Sequence, residues 1–115
     1  MSFVILERGL LSAGRRTRAA MAELDASLDE YAFADPCHQW VWEKMVEAWK
    51  RGEMSSLAYL LAQVEFEPEE AHVPLLETLK LLHATPPTTS FNTDLDTVRK
   101  LMRRGKLAHG VEAAV

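Results

Sequence analysis

Apolar residues recur at intervals of three and four along almost the whole chain, and no alternating run rich in β-branched residues interrupts them. The pattern predicts an all-α fold. A first helix covers about Phe3 to Ala13, with Val4, Leu6, Leu10 and Leu11 on one face and Gly14 interrupting the pattern. A second, about Thr17 to Leu28, sets Met21, Leu24 and Leu28 at i, i+3 and i+7, and Tyr31 and Phe33 follow in a connector. The third has the clearest punctuation: Asp35 to cap it, Pro36 at its first position and Gly52 as a left-handed terminator, giving about Pro36 to Arg51. Its buried stripe is His38, Trp42, Met45 and Trp49, widened by Val41, Val46 and Ala48; Trp40 lies off the stripe, packed at its edge or partly exposed.

A fourth helix starts at the cap Ser56 and carries Leu57, Leu60, Leu61 and Val64 at i, i+3, i+4 and i+7. Glu65 to Glu70 then reads as a solvated acidic loop. A fifth helix, about Ala71 to His83, uses Val73, Leu76, Leu79 and Leu82 or His83, with Pro74 tolerable only near its start. Pro86-Pro87-Thr88-Thr89-Ser90 cannot continue a helix and forms an extended connector. Asn92 or Thr93 can cap a last helix, with Asp94 and Asp96 in its first turn and Arg99, Lys100, Arg103 and Arg104 towards its end, the order that suits the helix dipole. The expected organisation is a compact head over residues 1–84, a connector over 85–91 and a separable C-terminal helix over 92–115.

A chain of 115 residues is one domain's worth, and 48% hydrophobic with 26% charged residues suits a globular core. No apolar run approaches the ~20 residues of a membrane-spanning helix, and Arg8, Arg15, Arg16 and Arg18 crowd what would be the apolar core of a signal peptide. A cytoplasmic protein is expected. The net charge of −4 conceals basic ends and an acidic middle: +3 over residues 1–18, −11 over 19–98 and +4 over 99–115. That polarity suits an oppositely charged partner, a second copy included, and equally suits solvated helix faces.

Candidate chemistry is sparse. A single cysteine, Cys37, excludes an intramolecular disulfide and a cysteine-based zinc site. Neither phosphate-cradling glycine motif occurs, and His38, His72, His83 and His109 form no metal-binding pair, so no cofactor, no metal and no enzyme activity are expected. Cys37 and His38 are adjacent on a helix and point apart. Arg99, Lys100, Arg103, Arg104 and Lys106 are the one stretch suited to phosphates or an acidic partner. No aromatic is interleaved among them for base stacking, and nucleic-acid contact, if made, is expected to be weak and sequence-independent.

From Glu7 to Gly52 the spacing resembles the N-terminal domain of the DnaB-type replicative DNA helicases. Glu7 with Leu10 and Leu11, then Ser12 and Ala13, resemble that family's first helix. Phe33, five residues before His38, with Met45 and Gly52 downstream, resembles its long third helix in register. Leu57 to Val64, then Leu76, Leu79 and Leu82, resemble the next two helices, and Thr85-Pro86 the end of its globular head. Asn92 to Met102, with Val98-Arg99, resembles the start of its helical hairpin. Two features depart from the family. Gly14-Arg15-Arg16-Thr17-Arg18 replaces an apolar continuation of the first helix, and an acidic loop with Pro74 replaces the glycine pair before the fifth. The given sequence reaches Val115 and accommodates one arm of the hairpin, which suits either a domain of such a helicase or a free-standing protein that mimics one.

The resemblance implies a non-catalytic interaction module of DNA replication, a collar that associates with itself and receives helicase, primase or helicase loader. A free-standing regulator or loader of a helicase, of mobile-element type, is the alternative; a small basic-helix DNA binder is a third. Phe33, His38, Trp42, Met45 and Trp49 are the expected structural core. Leu95, Val98, Leu101 and Met102 give the last helix an apolar side that a terminal helix must bury against something. An antiparallel pairing of that helix in a dimer or weak equilibrium is the expected oligomer.

Overall fold

The computed structural model describes residues 3–28 and 33–101. Tyr31, Met102, Arg103, Arg104, Lys106 and His109 lie outside them. The fold is all-α, with six helices and no strand among the described residues: α1 (Phe3–Arg16), α2 (Arg18–Ser27), α3 (Pro36–Lys50), α4 (Leu57–Val64), α5 (Glu69–Ala84) and α6, described over residues 91–101.

Local chemistry sets most helix ends. Thr17 accepts from the Ala20 N–H to start α2, Asp35 from the Cys37 and His38 N–H groups to start α3, and Ser56 from Tyr59 to start α4. The far end of α3 closes as a Schellman turn: the Gly52 N–H donates to the Trp49 carbonyl at 2.9 Å and Glu53 to Ala48 at 3.0 Å. Gly52 takes φ of +78°, which an L side chain adopts only at a cost.

α1 packs against α2, α3 and α5, while α5 also packs against α3 and α4. Leu10, Leu11, Met21, Leu24, Val41, Trp42, Met45, Leu60, Val64, Leu75, Leu79 and Leu82 fill the core between them. Phe33 meets Trp42 edge to face at 5.9 Å between ring centroids. Trp49 is only half-buried, at the border of this cluster.

Four expectations are corrected. α1 does not end at Gly14 but runs on to Arg16, because Gly14 is a packing site: a Cβ there would lie 2.4 Å from Leu24 Cδ1 and 3.1 Å from Met45 Cε. α5 begins at Glu69, so Glu69 and Glu70, the last two residues of the acidic segment, are helical, their carboxylates favoured by the helix N-terminus. Its core stripe is Leu75, Leu79 and Leu82, which rotates Val73 and Leu76 outward. α6 starts earlier than the expected caps Asn92 or Thr93 allow: the Ser90 carbonyl takes the first helical bond from the Asp94 N–H, at 2.9 Å, and the Asp94 carboxylate accepts from the Thr88 hydroxyl.

α6 is not detached from the head. Leu95 and Val98, 5% and 4% exposed, belong to the same apolar cluster as the helices of the head, with Phe91 packed against it. The connector is held too, the Thr88 N–H donating to the Gly9 carbonyl at 3.3 Å.

Candidate functional site

Three groups of side chains stand out, two at joints between helices and one on the surface. The first joins α1 to the start of α3. Glu7 is buried, and its carboxylate accepts from the Ala34 N–H at 2.6 Å, the Asp35 N–H at 3.3 Å and His38 Nδ1 at 2.8 Å. With both backbone groups donating into the carboxylate, the imidazole supplies the proton between the two side chains. Gln39 Oε1 accepts from the Phe33 N–H at 3.0 Å, so the backbone leading into α3 is held from both sides. Glu7, Phe33 and His38, three residues that carry the helicase resemblance, therefore meet at the mouth of α3. Cys37, partly exposed, accompanies them without a nucleophile's geometry: the hydrogen bond of His38 goes to Glu7.

The second group ties α1 to the C-terminal end of α5. Ser12 Oγ donates to the Thr85 carbonyl at 2.7 Å, and Arg16 donates from Nε to Ser12 Oγ at 3.2 Å and from Nη2 to Thr85 at 3.3 Å. A cation at the open carbonyls of a helix C-terminus is favoured by the dipole. Arg16 thus has a bonding role in the segment that departs from the family pattern. Its neighbour Arg15 has its pKa held below the usual arginine value, by burial first and by the Arg16 charge second.

The third group is the α4–α5 hairpin. Six large apolar residues are exposed among those described, and five of them, Leu61, Phe66, Val73, Leu76 and Leu81, lie on this one hairpin. Phe66 is 81% exposed, Val73 64% and Leu76 43%. The turn that carries Phe66 is fixed: Phe66 and Glu67 donate N–H bonds to Gln63 and Val64, Trp40 Nε1 donates to the Glu67 carboxylate at 2.9 Å, and His72 Nε2 donates to the Glu67 carbonyl at 2.8 Å. Trp40, off the α3 stripe, thereby anchors the turn, with Lys44 Nζ 5.8 Å from its ring centroid.

The other candidates from the sequence fall elsewhere. Leu95 and Val98 are covered by this chain's own core, and Leu101 is partly buried. Lys100 pairs with Asp96 at 3.0 Å and Arg99 is partly buried; the rest of the basic stretch lies outside the described residues. Among the described residues no group of three or more His, Cys, Asp or Glu side chains is placed to hold a metal ion, and no helix is long and apolar enough to cross a membrane.

Sequence reasoning missed the third group. Its signal is present, since residues 71–82 hold two overlapping apolar stripes, and periodicity alone does not say which of them faces outward. Compared with known protein families, curated proteins and solved structures, the chain matches none.

Proposed function

We propose that this chain is a non-catalytic protein–protein interaction module of DNA replication, the role implied by its resemblance to the N-terminal collar of DnaB-type helicases. One observation carries the interaction reading: the buried polar groups Glu7, His38 and Ser12 are engaged in holding helices together, while apolar side chains are gathered outward on one hairpin. Side chains engaged in this way serve to join helices. The replication reading rests on the spacing of Glu7, Phe33, His38 and Gly52, supported by the joint in which the first three meet. Its partners are the helicase ring, primase, a loader or a second copy, and its location the cytoplasm.

Sedimentation of the fluorescently labelled full chain, titrated with a purified DnaB-type hexamer and separately with primase from the same source, tests this. A saturable shift with either is the expected result. No shift with either across the micromolar range contradicts the replication reading.

A further inference from the structure

We propose that the outward face of α5, Val73 and Leu76 with Phe66 in the turn before them and Glu69, Glu70 and Glu77 alongside, docks a basic amphipathic helix of a partner protein. The inference rests on the interaction-module reading and adds the partner's chemistry.

α5 has two apolar faces. Leu75, Leu79 and Leu82 take one into the core, and Val73 and Leu76, three residues apart, sit side by side on the opposite one. Single exposed apolar residues are ordinary on protein surfaces; a helix that buries one stripe and displays another, behind an aromatic held out by a bonded turn, is a concentration of them. Side chains at this spacing on a helix are met most simply by a second helix with its own anchors at i, i+3 and i+4.

Charge selects the kind of helix. Residues 57–84 hold five glutamates, Glu65, Glu67, Glu69, Glu70 and Glu77, against one cation, Lys80. Glu67 is occupied by Trp40, whereas Glu69, Glu70 and Glu77 are exposed and make no ion pair with a described residue. Carboxylates around an apolar strip attract a cationic partner and repel nucleic acid and anionic lipid, which gives specificity as well as solubility.

The probe is a synthetic helix with leucine at i, i+3, i+4 and i+7 and lysine elsewhere, beside a twin with glutamate in place of lysine, both measured by fluorescence anisotropy against the full chain. The lysine peptide is expected to bind, more weakly as salt rises, and the glutamate twin not to bind. Glu69→Lys with Glu70→Lys, and separately Val73→Asp with Leu76→Asp, are each expected to weaken binding roughly tenfold or more. Glu23→Lys, on the exposed side of α2, is expected to leave it unchanged. Because all four α5 positions are exposed, circular dichroism is expected to show every variant folded; the milder Leu76→Ser repeats the test if the aspartate pair is not.

Equal binding of the two peptides, or wild-type binding by either double variant, overturns the proposal. So does a wild-type dimer that Val73→Asp with Leu76→Asp dissociates, which would assign the face to a second copy. A chain that binds helicase or primase with no sensitivity to these variants removes this inference alone. The full peptide pattern without any helicase or primase binding removes only the replication reading.

Discussion

Glu7 and His38 lie 31 positions apart in sequence and form a buried hydrogen-bonded side-chain pair that joins α1 to the entry of α3. Removing the carboxylate leaves the His38 imidazole and two backbone N–H groups without their acceptor, and an orphaned buried donor costs ~1–3 kcal/mol. Glu7→Ala is therefore expected to destabilise by ~3 kcal/mol, since the exposed Ala34 side lets water recover part of the loss. A cycle with His38→Ala should show a coupling of ~1–2 kcal/mol, measured by urea denaturation. Additive effects would mean that the two side chains act independently. Gly14 makes a second residue-scale test. Alanine would add ~1 kcal/mol of helix propensity, yet its methyl would press on the fully buried Leu24, and overpacking costs ~1–3 kcal/mol. Gly14→Ala is expected to lower stability by ~1 kcal/mol, whereas an increase would show that Leu24 has room to move.

α2, α3 and α4 were legible in the sequence because Thr17, Asp35 and Ser56 cap them and each carries one dominant apolar stripe. The readings failed where one dimension holds two solutions. Gly14 punctuates a sequence, but in space it is the gap that lets α2 and the tip of Met45 approach α1. On α5, Val73/Leu76 and Leu75/Leu79 have equal claims by periodicity, and packing against α3 and α4 decides between them. The candidate docking face was invisible for the same reason, since assigning its residues to the core removed them from the surface. α6 shows a related limit: its apolar side demanded cover, and nothing in the sequence said that the cover was the head itself. A chain ending at Ser90 loses Leu95 and Val98 from the core, each worth ~1.5–3 kcal/mol of burial. Its melting temperature is expected to fall well below that of the full chain; an unchanged value would mean that α6 is a separable arm.

The whole molecule sorts its polarity by job. Buried carboxylate, imidazole and hydroxyl groups bind helices to one another, the basic Arg16 closes the end of α5, and the hairpin that displays the apolar residues carries five glutamates against one lysine. The division fits the proposed interaction module, and the proposal puts its contact on residues 57–84 in preference to α6. Amide hydrogen exchange compared between the free chain and its complex with helicase or primase reads this directly, because amides covered by a partner exchange more slowly. The account expects protection concentrated in α5 and the turn at Phe66, with exchange in α2 unchanged. Protection confined to residues 91–101, or none on the hairpin in a complex that demonstrably forms, would contradict it.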